Sequence, residues 1–306
     1  MRALAALAVA AAALVPAAAW AAPAPGMSAA EDVTCESVTA DVPPQTAQAP
    51  SRPLALLGVR QAQLLVAAAG APDPPVRVAV LDSGVAESPA LDVADRVSFT
   101  SVAELRYFHG TAVAGLIAGA PRPEGQPVGV APDAEIVDVR VYDEKVPGDL
   151  DAVGVEVPTV VQGLRWVARH AREDNIRVAN LSLVLPDDPA LAAAVRAVQR
   201  HDIVVVAASG NRPADEADPF FEEFAERTGN EDAAGFVFPA GYPGVVAVNA
   251  TSGDPLADDR DDVLQSSATD VAAPTLGAVS VALNGGTCIL AEVATSWSAA
   301  EVSGVV

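Results

Sequence analysis

Basic side chains are scarce in this chain: 18 Lys and Arg stand against 40 Asp and Glu, a formal net charge of −22 over 306 residues. A surface of that sign repels phosphate backbones and anionic headgroups, so nucleic acid and anionic lipid are excluded as expected partners. Histidine and cysteine are sparser still, at 3 and 2. His109, His170 and His201 show no metal-ligand spacing and two thiols alone cannot build a zinc site, so neither metal nor cofactor is expected. The acidic runs from Asp215 to Asp232 and from Asp254 to Asp262 lack the spaced ligands and glycine of a calcium loop; they read as solvated loops. No internal repeat is present.

Hydrophobic residues are plentiful, at 51% with a mean hydropathy of +0.30, but part of that is not core. Arg2, an Ala/Leu/Val run and Ala19-Trp20-Ala21 have the layout of a secretory signal peptide, with cleavage expected after about Ala21. A retained membrane anchor fits less well, because alanine dominates the run and small residues close it. Export would put the two cysteines where thiols oxidise. A Cys35–Cys288 bridge would then tie the N-terminal arm to the segment before Ser296; two free buried thiols are the alternative.

From Ala22 to Pro75 the chain is rich in Pro, Ala and Gln and reads as an extended arm with one helical patch, Pro53 to Ala69. The texture then changes. Val76 to Leu81 is a β-branched run ending in Asp82-Ser83-Gly84, a buried strand entering a turn. A helix is predicted over His109–Ala118. Strands are predicted at Glu135–Val141, Val178–Leu183, Ile203–Ala208 and Val245–Asn249, with helices at Thr159–Arg172 and Asp188–Arg200 between them. Near-continuous apolar strands alternating with helices predict an α/β fold of three layers, a mostly parallel sheet covered on both faces. In such sheets the working residues stand where strands end and helices begin.

That rule selects four places: Asp82 at a strand end, His109 at a helix start, Asn211 in Ser209-Gly210-Asn211 after another apolar strand, and Ser296 at the front of a helix. A serine hydroxyl is a weak nucleophile until a base takes its proton, and the base needs a carboxylate to hold its tautomer. A histidine at the positive end of a helix favours the neutral imidazole such a base must be. The Asn211 amide and the Ser296 backbone N–H are candidate donors to a developing oxyanion.

These residues resemble the subtilisin-like serine proteases. Asp82-Ser83-Gly84 matches the D-[ST]-G of that family, and His109 to Gly115 matches H-G-T-x-V-A-G in full. Gly129-Val130-Ala131-Pro132 is similar to its G-V-A-P loop, and Ala294, Thr295, Ser296, Ser298, Ala300 and Gly304 match its serine motif in part. The resemblance covers about Val76 to Val306. It implies a subtilisin-like peptidase domain over 76–306, with catalytic Asp82, His109 and Ser296 and an oxyanion-holding Asn211. It also implies a substrate-lining strand carrying Ser182 and Leu183. The order Asp, His, Ser and the lack of G-x-S-x-G exclude an esterase of the α/β-hydrolase type.

A narrower resemblance lies in Trp297 to Gly304, which is similar to the F-S-A-A-x-V-S-G of mycosins, membrane-anchored subtilases associated with type VII secretion. It implies that the arm wraps the domain, and that secretion-complex proteins join peptide substrates as partners. Membrane attachment would come only through an anchor beyond Val306. The chain departs from the family pattern at Ala294, where a glycine is usual, at Ala300, where a proline is usual, and at Val184-Leu185, where two glycines are usual. Only 10 residues follow Ser296, so the domain is expected to be truncated at its C-terminus. Those departures leave open a weak or inactive scaffold of the same shape.

Overall fold

The computed structural model describes residues 33–70, 74–143, 154–212, 224 and 228–306. The expected signal peptide, Met1–Ala21, and most of the acidic run after Asp215 lie outside the described residues.

Seven strands form one parallel sheet: β1 (Arg77–Asp82), β2 (Val93–Ser98), β3 (Glu135–Arg140), β4 (Ile176–Leu181), β5 (Val204–Ala208), β6 (Val245–Thr251) and β7 (Val271–Pro274), in the order β2-β3-β1-β4-β5-β6-β7. An antiparallel hairpin, β8 (Ala278–Val281) with β9 (Thr287–Leu290), stands beside it. Alternate residues of the central strands feed two cores. Val78, Val80, Val178, Val206 and Val248 pack with α3 (His109–Ala118), α6 (Thr295–Ser303) and the hairpin. Ala79, Leu81, Val137, Val139, Ala179 and Val205 pack with α4 (Val157–His170) and α5 (Pro189–Gln199). Because both faces are covered, β1 has no polar alternation: five of its six residues are buried. Each fully buried Val or Leu there contributes about 1.5–3 kcal/mol.

The predicted helices are found with small shifts. α4 starts at Val157 because Pro158 sits in its first turn, where its missing N–H costs nothing. α5 starts after Asp188, whose carboxylate accepts from the Ala190 and Leu191 N–H groups at 2.7 and 3.1 Å. The strand predicted over Val178–Leu183 runs instead from Ile176 to Leu181. β2, β7 and the hairpin have no counterpart among the predicted elements.

The arm is docked rather than extended. Its single predicted helical patch is two helices, α1 (Arg52–Leu56) and α2 (Val59–Ala69), broken at Gly58, whose φ of +67° is left-handed. Cys35 and Cys288 form a disulfide. The Ile289 N–H donates to Val33 at 2.8 Å, the Thr287 N–H to Gln45 at 2.8 Å, and Arg122 donates to the Ala47 and Ala49 carbonyls. Gln63 on α2 reaches the Gly129 and Val130 carbonyls at 2.8 and 3.0 Å.

This topology fixes where a site can form. From β1 the chain first builds β2 and β3 on one side and then β4 to β7 on the other. The order reverses beside β1, and the crevice beyond its carboxyl end is the place where such sheets bind ligands. Asp82 ends β1, Ser182 follows β4, Asn211 follows β5, and α6 packs against β4, β5 and β6.

Candidate active site

Asp82 is fully buried at the end of β1, and its carboxylate meets three donors. The Ser83 N–H donates to Oδ1 at 2.7 Å, and the Tyr142 hydroxyl donates to Oδ1 at 2.9 Å. His109 Nδ1 lies 2.9 Å from Oδ1 and 3.0 Å from Oδ2. A nitrogen facing an ionised carboxylate must carry the proton, so Nε2 is left as the acceptor. That is the tautomer a general base needs.

Local sequence explains why the pair meets. The Gly110 N–H at the start of α3 donates to Ser83 Oγ at 3.0 Å, and Thr111 Oγ1 accepts from the Ala86 N–H at 2.9 Å, stitching the helix start to the turn after β1. Gly110 has no room for a side chain: a Cβ there would lie 2.5 Å from the Gly84 carbonyl and 3.1 Å from Asp82 Oδ1. The imidazole is held between two rings, Tyr107 stacked at 5.7 Å and Trp297 tilted at 4.8 Å. Trp297 is thus a packing residue, and it brings the residue next to Ser296 against His109.

Ser296 stands in the first turn of α6 and is buried. Its hydroxyl donates to the Ser182 carbonyl at 3.2 Å, not to His109. The Ser182 hydroxyl answers by donating to the Ser296 carbonyl at 2.9 Å, and it also lies 3.1 Å from Asn180 Oδ1. Asn180 in turn donates to Ser303 Oγ at 3.0 Å, so a buried polar network anchors α6 to β4. Ser182 and Leu183 are both buried, and the side chain of Ser182 serves this network. Leu185 is already paired, its N–H donating to the Phe238 carbonyl at 2.7 Å.

Ala294 is unstrained: its φ is −143°, extended backbone that any residue adopts, so the missing glycine costs nothing there. Ala300 is a buried helix residue and suits it. Gly304 is where small size matters, because a Cβ would lie 2.7 Å from that of Val130 in the Gly129–Val130 loop.

Asn211 is oriented from behind. Its Oδ1 accepts from the Thr295 N–H at 2.8 Å and from Thr295 Oγ1 at 2.9 Å, while Thr295 Oγ1 accepts from the Gly210 N–H at 3.2 Å. Because a backbone N–H can only donate, the amide oxygen must face Thr295 and the NH2 group must point away from it. The Ser296 N–H belongs to the helix's first turn, which has no intrahelical acceptors. One amide side chain and one backbone N–H are therefore available for negative charge beside Ser296.

Two carboxyl groups on and just before α6 are shifted upward. Glu301 on α6 is buried with neither carboxylate oxygen partnered, and burial pushes it well above the usual carboxyl range. Glu292 is raised by burial and then by the charge of Glu36 on the arm. Tyr142, just beyond β3, was not among the residues picked from sequence. The strand-end rule could have found it, since β3 pairs with β1 in the register Asp82↔Arg140. Among the described residues no three His, Cys, Asp or Glu side chains converge to hold a metal, and no helix is long and apolar enough to cross a membrane.

The Subtilase family profile matches residues 73–306. Subtilisin Savinase of Lederbergia lenta is 34% identical over 180 residues, covering 58% of this chain and 55% of that protein. Mycosin-4 of Mycobacterium tuberculosis is 36% identical over 148 residues, 44% of this chain and 32% of that protein. The chain thus spans about half or less of the length of these curated relatives. Among solved structures, the MycP3 protease from the type VII (ESX-3) secretion system superposes with a TM-score of 0.61 at 28% identity, covering 90% of this chain and 82% of that one. A cold-adapted subtilisin-like serine proteinase gives 0.54 at 26%, covering 75% and 73%. The profile match takes in every strand of the sheet and the Asp82–His109 pair at its switch point, and on that footing the chain belongs to the subtilase family.

Proposed function

We propose that this protein is a serine endopeptidase in which Ser296 attacks the scissile carbonyl, His109 Nε2 takes the hydroxyl proton, Asp82 holds the imidazole, and Asn211 with the Ser296 N–H receives the oxyanion. The proton on Nε2 then passes to the leaving amine, and water deacylates Ser296 by the same route. The observation that carries this reading is the Asp82–His109 pair, with Nδ1 2.9 Å from Oδ1. For attack, the Ser296 hydroxyl must exchange the Ser182 carbonyl for His109 Nε2; catalytic hydrogen bonds are commonly loose before substrate binds. The backbone at Ser182 and Leu183 is the proposed edge against which a peptide substrate lies.

The likeness to Mycosin-4 and to the MycP3 protease supports a role at the cell envelope beside a type VII secretion system, with secretion-complex proteins as partners. The docked arm supports it too: a segment tied down by a disulfide and by hydrogen bonds to β9 is not built to be shed. The signal-like N-terminus supports export.

The Ser296–Ser182 hydrogen bond favours a second reading, a subtilase-shaped scaffold that does not cleave. Digestion of an unfolded protein substrate separates the two. An endopeptidase cleaves it, loses all cleavage in Ser296→Ala, and loses about 10²–10³-fold in kcat in Asn211→Ala. A scaffold gives the same background in all three proteins.

A further inference from the structure

Tyr142 touches both members of the acid–base pair. Its hydroxyl donates to Asp82 Oδ1 at 2.9 Å, and the same oxygen lies 3.2 Å from His109 Nδ1. The residue is buried, and it stands on the second residue after β3, the strand that pairs with β1 and delivers Asp82. The Val141 N–H donates to the Asp82 carbonyl at 2.9 Å, which locks Tyr142 in register with the carboxylate. We propose that Tyr142 is a positioning residue of the catalytic pair, fixing the Asp82 carboxylate toward His109 and tempering the negative charge that the imidazole feels.

A carboxylate that accepts a phenol proton shares its charge with that donor and holds a neighbouring imidazolium less strongly. Burial, followed by the charge of Asp82, pushes the Tyr142 phenol well above its ordinary range, so it stays a donor throughout the working pH range. The other ionisable neighbours of the His109 ring are Tyr107, stacked on it, and Glu292, whose carboxyl interacts with His109 through space. Tyr142→Phe leaves both in place. It also keeps the ring that packs at 6.3 Å against Tyr107, so packing is preserved while the hydrogen bond is deleted.

The inference rests on the proposed triad, and the test keeps the two apart. His109 is titrated by NMR in Ser296→Ala and in Ser296→Ala/Tyr142→Phe, neither of which can turn over. Losing the donor leaves Asp82 more basic, so the imidazolium is held more tightly and the midpoint rises by about 0.5–1 unit. In the active background, the acid limb of kcat/KM then moves up by the same amount, lowering activity on that limb about 3- to 10-fold and sparing the alkaline plateau. A Tyr142 with a purely structural role would lower the melting temperature and leave the midpoint where it was, which overturns the proposal.

Tyr142 itself supplies a second readout should the Phe variant fold poorly. Removing the Asp82 charge in Asp82→Asn/Ser296→Ala should bring the phenol titration down toward its ordinary range, and a phenol indifferent to that change also overturns the proposal. A midpoint shift in a protein that shows no peptidase activity would sustain the Tyr142 role while ending the protease reading.

Discussion

The Cys35–Cys288 disulfide closes a sequence separation of 253 residues, nearly the whole described chain. Breaking it with Cys35→Ala/Cys288→Ala acts mostly on the unfolded state. Chain-closure entropy for a loop of that size amounts to about 5.5 kcal/mol at 25 °C, and residual structure in the denatured chain reduces what is realised to about 3–5 kcal/mol. The folded side should change little, because the arm keeps other attachments: Val33 and Gln45 still pair with β9, Gln63 still reaches the Gly129–Val130 loop, and Leu54 stays buried. The stabilisation is realised only if the arm and sheet unfold together. Equilibrium unfolding in guanidinium should therefore show one transition, shifted by about 3–5 kcal/mol, with catalytic competence retained below it. A loss under about 1 kcal/mol would refute the reasoning, as would early protease nicking of the arm while the sheet stays folded, since either outcome uncouples the arm from the fold.

Two further perturbations probe the site and its support. Gly110→Ala should drive the start of α3 away from Gly84 and Asp82, cutting kcat more than KM, with the loss of the His109 Nδ1–H signal from its carboxylate-bonded position in NMR as the check. Asp138 on β3 tests linkage. Its carboxyl is pushed up to about 6 from an ordinary 3.8, chiefly by burial, with the Val85 N–H and the Arg96 and Arg140 charges opposing. The folded state therefore keeps a proton that the unfolded state has lost, and this contribution is present below about pH 4 and disappears as pH rises through 6. The stability of Asp138→Asn relative to the parent should thus improve by about 3 kcal/mol between roughly pH 4 and pH 8, read from denaturant melts at each pH; a difference independent of pH would contradict the assignment.

The candidate site was legible where a local pattern coincides with a topological position. Asp82-Ser83-Gly84 ends an apolar run, and His109 opens a helix whose small residues let it approach the sheet; both signals lie within a few residues of the side chain concerned. Tyr142 stands at the end of a predicted strand, where the strand-end rule points, but its partner Asp82 lies 60 residues away in sequence and only the β1–β3 register brings the two together. β2 alternates too little to be seen, most of its residues being exposed at the sheet edge, and β7 is four residues long. The Cys35–Cys288 bridge was legible from the two cysteines of the chain, whereas the Gln63 contacts were not, because Gln and Pro in the arm carry no periodicity. The departure at Ala294 carries no strain, because the N-cap takes extended backbone that alanine adopts freely.

The central claim is that Ser296 is a nucleophile activated by His109. Treatment with a fluorophosphonate, followed by mass spectrometry of the digest, tests it most directly. The account predicts a single adduct on Ser296 in the parent, a much slower one in His109→Ala, and none in Ser296→Ala. An unlabelled parent, or an adduct carried equally by the His109→Ala protein, would contradict it.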